Sequence, residues 1–97
     1  MARLAALGLE VHVTELDVKC PNGCDLAQQA NVYRQLLRVC LAQPACTNFE
    51  TWGFTDKYTW VGADNRPLPF DQNFGPKPAV YSMLAEFANA ANASTVA

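Results

Sequence analysis

The strongest constraint on the fold is the order of three apolar patterns along the chain. Residues 9–18 alternate between apolar and polar side chains, which is the pattern of a β-strand. Residues 47–55 are rich in β-branched and aromatic residues and predict a second strand. Between them, apolar residues recur at helical spacing at Leu26, Ala30, Tyr33, Leu37 and Cys40. Because this connection is too long for a hairpin, we expect a right-handed βαβ unit with parallel strands.

The helical segments have recognisable ends. Asp25 and Gln28 form a start similar to a capping box, and we expect this helix to end near Pro44. Residues 77–88 predict a second helix with Pro78 in its first turn. Its inner stripe is expected to consist of Val80, Leu84 and Phe87.

The remaining segments complete one partial domain over residues 1–97. Residues 1–8 predict the end of a helix, closed by Gly8 in a left-handed conformation. Residues 56–77 combine turn formers with aromatic residues, which favours a binding loop over a linker. The predicted parts are residues 9–46 and 47–89 as two βα units, and residues 90–97 as a frayed tail.

Composition excludes several classes of partner. The chain has 7 Lys and Arg against 9 Asp and Glu, and like charges do not cluster, so we expect no nucleic acid partner. The apolar stretches are interrupted before they reach the roughly 18 residues of a membrane span, so we expect no membrane insertion. We also expect no signal peptide in the first residues, because they lack a sufficient apolar region before Glu10.

Four cysteines form two local pairs, Cys20 with Cys24 and Cys40 with Cys46. An even number in local pairs favours disulfides and an oxidising, extracellular compartment. Each short loop would contribute only about 2 kcal/mol. Reduced, buried cysteines are one alternative. A zinc site from these thiolates with His12 is another, but neither spacing is typical of structural zinc, so we expect no metal and no cofactor.

Polar residues of the first strand are candidates for function. Glu15 shares a face with Val11 and Val13 and stands where the strand ends. On the pattern alone, such a glutamate is most often a solvated rim residue. Asp17 is expected to order the following loop, and His12 to be a structural histidine on the helix-facing side.

Aromatic residues in and after the second strand are candidates for sugar contact. Indole faces stack on the flat C–H faces of sugars, so two tryptophans suit a polysaccharide. Trp60 in the polar loop is the better candidate, whereas Trp52 could equally belong to the core. Tyr58 could pack or donate its hydroxyl, and Asp56 could hold Lys57 or cap the loop.

Short motifs occur in a fixed order over about residues 3–89 of this chain: VTELD at 13–17, WGFTDKYTW at 52–60, PLPFD at 67–71 and PKPAVY at 76–81. In order and spacing they resemble the C-terminal part of family 10 glycoside hydrolases, the retaining endo-β-1,4-xylanases. The resemblance implies an α/β fold, a fragment of a (β/α)8 TIM barrel that holds the last two βα units, strands seven and eight with their helices.

The resemblance also implies roles for particular residues. Glu15 would be the catalytic nucleophile, with Trp52 and Trp60 lining the sugar subsite beside it and Tyr58 as a further substrate-binding candidate. A disulfide between Cys40 and Cys46 is implied before the last strand, and the substrate would be xylan or xylo-oligosaccharides. The family is secreted, which agrees with the cysteine pairing.

Departures from the family pattern limit the expected activity. A full barrel takes about 250 residues, and the motif that carries the acid/base glutamate lies on an earlier strand. Glu86 lies in a helix, Glu10 faces away from Glu15, and Glu50 has no precedent in that role. We therefore expect part of a xylanase that does not hydrolyse xylan alone and that self-associates through exposed barrel edges. The alternatives are a free-standing carbohydrate-binding module and an inert folding unit.

Overall fold

The computed structural model describes the backbone of residues 1–96 and the side chains of residues 1–93. The elements follow one another as α1 (Ala2–Ala6), β1 (Val11–Leu16), α2 (Leu26–Ala42), β2 (Cys46–Thr51), a 3-10 turn (Ala63–Asn65) and α3 (Pro78–Val96). The predicted order of strand, helix, strand and helix is confirmed. Among these helices, none combines the length and the apolar character that crossing a membrane requires.

The two strands are parallel neighbours, as predicted. Val13 lies beside Phe49 in the register, and the pairing becomes irregular between Val13 and Leu16. Directly after β2, the Trp52 N–H donates to the Leu16 carbonyl at 3.2 Å. The carboxyl ends of both strands therefore meet at one edge of the sheet, the edge where parallel α/β folds bind their ligands.

Helix α2 packs through the predicted apolar stripe. Asp25 caps its first turn by accepting a hydrogen bond from the Ala27 N–H at 2.9 Å. The stripe from Ala30 to Cys40 is buried, and Tyr33 and Leu37 are almost inaccessible. The core cluster consists of Ala30, Tyr33 and Ala79, against which Leu16, Val18 and Met83 pack. The amphipathic pattern was thus a sufficient guide to this helix.

Helix α3 differs from the prediction in length and in its buried face. It continues to Val96 through the segment expected to fray at 90–97, because this segment is rich in alanine, the best helix former. Ala97 lies outside the described residues. Val80 is half-buried, but Leu84 and Phe87 are 57% and 50% exposed, whereas Ala79 and Glu86 are buried. The face turned towards α2 is therefore the one that carries Ala79 and Glu86, not the predicted stripe.

A buried ion pair holds the connection between β2 and α3. Lys77 Nζ lies 2.8 Å from Asp56 Oδ2, and their side chains are 4% and 2% exposed. The ammonium also donates to the carbonyls of Arg66 at 2.9 Å and Leu68 at 2.6 Å. Burial lowers the pKa of Lys77, and its hydrogen bond to Asp56 opposes that shift. Of the two expectations for Asp56, the pairing with Lys57 is wrong, because Lys57 is exposed and Lys77 is the partner. The capping of the loop agrees with the hydrogen bond that Asp56 accepts from the Leu68 N–H at 2.8 Å.

Both cysteine pairs form disulfides, Cys20 with Cys24 and Cys40 with Cys46. The expected local pairing is confirmed, and the zinc and free-thiol alternatives do not apply. The Cys20–Cys24 loop is tied to the β2–α3 connection by the Arg66 guanidinium. Arg66 donates to the carbonyls of Cys20 at 2.9 Å, Pro21 at 3.3 Å and Cys24 at 3.2 Å.

Candidate active site

Glu15 occupies the carboxyl end of β1 in an unusual backbone conformation. Its φ is 54°, in the left-handed region that residues other than glycine rarely adopt. Such a conformation costs of order 1–3 kcal/mol and is concentrated at functional sites. Val11 and Val13 are half-buried, whereas Glu15 is exposed. The regular alternation of the strand therefore ends before Glu15, which was not visible in the sequence.

Asp17 connects the end of β1 to the loop that follows β2. The Trp60 Nε1–H donates to Asp17 Oδ2 at 2.7 Å. The sequence predicted that Asp17 would order the loop after its own strand, but its side-chain partner lies in the other loop. Trp60 itself is 74% exposed. The contact thus fixes one edge of an indole that is otherwise open to solvent.

The other predicted sugar-binding residues are also accessible. Trp52 is 50% exposed and therefore lies outside the core that the described residues form. Tyr58 is 68% exposed, and the Lys57 ammonium lies 5.4 Å from its ring centroid. The structure therefore leaves Trp52, Tyr58 and Trp60 open in the segment that follows the carboxyl end of β2.

Three further polar residues considered in the sequence analysis are His12, Glu10 and Glu50. His12 is exposed rather than packed on the helix-facing side, because the strand alternates with Val11 and Val13 as its half-buried residues. Glu10 accepts a hydrogen bond from Thr47 Oγ1 at 3.0 Å. Glu50 accepts one from Asn48 Nδ2 at 2.7 Å.

Glu86 forms ion pairs that join two helices. Its carboxylate lies 2.6 Å from both Arg34 Nε and Arg38 Nη2, which project from α2. Hydrogen bonds from Arg38 and Arg34 lower the pKa of the Glu86 carboxyl from 4.5 to about 2. Glu86 therefore stays ionised and joins α2 to α3.

Two buried side chains of α2 make hydrogen bonds to the loops near the site that the sequence did not predict. Gln29 donates to the carbonyls of Val18 at 2.8 Å and Arg66 at 2.5 Å. The Tyr33 hydroxyl donates to the Pro67 carbonyl at 2.5 Å. Burial, with the charges of Asp17 and Asp56, raises the pKa of Tyr33. In the sequence, the one indication that Gln29 is buried and hydrogen-bonded was the position of its polar amide next to Ala30 on the apolar face of α2.

No cluster of three or more His, Cys, Asp or Glu side chains among the described residues has an arrangement that would hold a metal ion. The chemistry available at the sheet edge is that of exposed carboxylates, Glu15 among them, and several exposed aromatic rings. A carboxylate at the end of a parallel strand can attack or stabilise an electrophilic carbon, and the rings can stack on sugars. These features define an exposed carboxylate with exposed aromatic rings at the carboxyl edge of a parallel α/β sheet.

The chain belongs to glycosyl hydrolase family 10, whose sequence profile matches residues 1–86. This confirms the resemblance inferred from the motifs. Endo-1,4-beta-xylanase B of Thermotoga neapolitana is 40% identical in an alignment 91 residues long, which covers 86% of this chain and 26% of that protein. Because the family is a catalytic one, the alternative of a free-standing carbohydrate-binding module is not favoured.

Solved structures agree with the sequence relatives. Native xylanase 10B from Thermotoga maritima is similar with a TM-score of 0.85 and 36% identity, over 91% of this chain and 30% of that chain. Xylanase 10B from Thermotoga petrophila RKU-1, in complex with xylobiose, gives a TM-score of 0.85 at 35% identity, over 91% of this chain and 29% of that one. The chain thus spans less than a third of the length of these relatives.

Proposed function

We propose that this chain is the C-terminal part of an endo-1,4-β-xylanase and supplies the nucleophile Glu15 to a xylan-cleaving site. The observation that supports this most is the left-handed, exposed Glu15 at the carboxyl end of β1, within a segment that matches family 10. In this proposal β1 and β2 are strands seven and eight of a (β/α)8 barrel. Catalytic groups of such barrels lie at the carboxyl ends of the strands.

The proposed reaction proceeds by double displacement. A carboxylate oxygen of Glu15 bonds to the anomeric carbon while the glycosidic C–O bond breaks, and a second carboxylic acid protonates the departing oxygen. That second group then takes a proton from water, whose oxygen attacks the same carbon and releases Glu15 as a carboxylate. The two carboxyl groups of retaining enzymes lie about 5 to 5.5 Å apart.

The substrate assigned in this proposal is xylan or xylo-oligosaccharides. Trp52 and Trp60 line the subsite beside Glu15 with their exposed rings, and Tyr58 adds a further contact. Stacking suits sugars because their C–H faces are flat and apolar. The two disulfides agree with an extracellular, oxidising environment.

The second carboxyl group is not among the glutamates described above. Glu10 and Glu50 accept hydrogen bonds beside the strands, and Glu86 is bound by two arginines. The family resemblance assigns the acid/base residue to an earlier strand of the barrel. Without general acid catalysis, departure of the leaving group loses a factor of typically 100 to 10,000. We therefore expect the 97 residues alone to be inactive.

A graft tests the proposal directly. The chain would replace the matching segment of the Thermotoga neapolitana xylanase B, and release of reducing sugar from xylan would be measured. We expect the graft to hydrolyse xylan and Glu15→Gln to lower kcat by at least about 100-fold, because the nucleophile is lost. Glu10→Gln is the matched control, since it removes an exposed carboxylate just before β1. A Glu15→Gln graft with full activity would overturn the assignment.

A fluorinated substrate analogue gives a second readout. A xylobioside with fluorine at C2 and a dinitrophenyl leaving group needs no general acid for the first step, and its covalent intermediate breaks down slowly. We expect mass spectrometry of the graft to find the sugar attached to the peptide that contains Glu15. Attachment to a different carboxylate would assign the nucleophile elsewhere.

A further inference from the structure

The Trp60 indole has few constraints apart from one hydrogen bond. Its ring is 74% exposed, so packing fixes little of its surface. Its Nε1–H donates to Asp17 Oδ2 at 2.7 Å. A hydrogen bond from a neutral donor to a carboxylate is stronger than one between neutral groups. This contact is therefore a main determinant of where the exposed ring points.

The backbone on both sides of Asp17 is fixed by hydrogen bonds. Asp17 lies between β1, which pairs with β2, and Val18, whose backbone is held on both sides. The Val18 N–H donates to the Pro67 carbonyl at 3.1 Å, and the Val18 carbonyl accepts from Gln29 at 2.8 Å. The second oxygen of Asp17, Oδ1, is buried and has no hydrogen-bond partner among the described residues. The backbone next to Asp17 is thus held in place, and the bond from Trp60 is the hydrogen bond that the described residues give its carboxylate.

We propose that Asp17 is a positioning residue that orients Trp60 for stacking on sugar. With its N–H bound to Asp17, the indole contributes a ring face to the ligand and does not donate to a sugar hydroxyl. This inference rests on the proposed xylan-binding function. The positioning role of Asp17 can be tested separately from xylan binding, because the Asp17–Trp60 contact exists in the absence of sugar.

Indole resonances test the contact without any ligand. The chain contains two tryptophans, so a ¹H–¹⁵N spectrum of the 97-residue protein shows two indole signals, with Trp52 as the internal reference. We expect Asp17→Ala to shift the Trp60 indole proton upfield and to speed its exchange with water by at least about tenfold. Asp17→Asn keeps an acceptor oxygen and should retain most of the original signal position. Asp64→Ala, at an exposed position of the 3-10 turn, is the charge-matched control.

Binding of xylohexaose tests the consequence. We expect Asp17→Ala to weaken the affinity about tenfold and Asp17→Asn to change it less than threefold. In a Trp60→Phe background, which keeps an aromatic face but has no N–H, Asp17→Ala should have no further effect. An additive loss in the double variant would show that Asp17 acts elsewhere and would overturn the proposal.

The indole spectrum and the xylohexaose titration together distinguish a failure of the positioning role from a failure of the proposed function. An unchanged Trp60 signal in Asp17→Ala would refute the positioning role even if the protein binds xylohexaose. A shifted signal with unchanged affinity would also refute it, while the proposed function would stand. Failure of the original protein to bind xylohexaose at millimolar concentration would instead contradict the proposed binding function, and the indole spectrum would still decide whether Asp17 holds Trp60.

Discussion

Lys77 Nζ lies 2.8 Å from Asp56 Oδ2 at a position where both side chains are almost completely buried. Asp56 lies early in the connection between β2 and α3 and Lys77 is its last residue, so this ion pair closes the loop that carries Trp60. The Asp56 carboxylate also accepts a hydrogen bond from the Leu68 N–H at 2.8 Å. Each charge is therefore satisfied by the other and by the backbone, which is the condition for a buried pair to be tolerated.

Breaking this ion pair should destabilise the fold strongly. Asp56→Asn and Lys77→Met each leave a buried group without its partner, so each should lower the free energy of unfolding by about 3–5 kcal/mol. The double variant should lose less than the sum, because neither charge is then left unpaired. Urea unfolding followed by circular dichroism measures this. Single losses below about 1 kcal/mol would mean that the pair is not buried in solution.

The two disulfides should have similar effects on stability but different effects on the site. Replacing either pair with alanine should cost about 2 kcal/mol, because both loops are short. Only the Cys20–Cys24 loop binds Arg66, so only its removal should speed amide hydrogen exchange around Asn65, whose carbonyl accepts from the Cys20 N–H. The Cys40–Cys46 variant is the matched control. Equal exchange in both variants would argue against the Arg66 link.

The pH dependence of stability should contain a contribution from Glu86. Its folded pKa of about 2 lies below the ordinary value of 4.5, so the unfolded chain binds the proton first as the pH falls. The stabilisation is complete above pH 4.5 and is lost between pH 4.5 and 2. Glu86→Gln should therefore have a smaller drop in Tm across this range than the original chain. Glu10→Gln controls for the loss of one carboxylate, and parallel Tm curves for all three proteins would contradict the prediction.

Contacts between near neighbours could be predicted from the sequence, and so could the parallel pairing of the strands. The alternation around Val13 and the aromatic segment around Phe49 were sufficient to predict adjacent parallel strands, because a helical crossover permits little else. The spacing of Cys40 and Cys46 likewise matched their disulfide. Glu15 was located at a strand end by the same alternation, and the role proposed for it came from the family resemblance.

Contacts between distant segments were not predictable. Asp56 pairs with Lys77 and Asp17 with Trp60 only because loops return to the sheet, and no local pattern records that return. The buried face of α3 was also misjudged. Its apolar residues surround much of the helix, so periodicity alone did not distinguish the face that carries Glu86 from the face that carries Leu84.

The isolated chain should self-associate. The sheet of the described residues has two strands, each with one unpaired edge, and unpaired edges promote association. Beside it lies a mostly apolar groove of about 390 Å³ that includes Leu84 and Phe87. Light scattering should show a mass that rises with concentration, and Leu84→Lys should reduce this rise more than Val39→Lys on α2. A stable monomer at high concentration would refute the expectation.

The last prediction separates sugar binding from catalysis in the isolated chain. We expect weak binding of xylo-oligosaccharides that rests on the exposed rings of Trp60 and Trp52, and no hydrolysis. Trp60→Ala should abolish measurable binding because stacking needs the aromatic face, whereas Glu15→Gln should leave binding largely intact because the variant keeps the size of the side chain. Calorimetric titration with xylohexaose and a reducing-sugar assay on xylan measure the two properties on the same samples. Robust cleavage by the original chain that disappears in Glu15→Gln would show that these 97 residues supply their own general acid, and the proposed division of the active site would then be wrong.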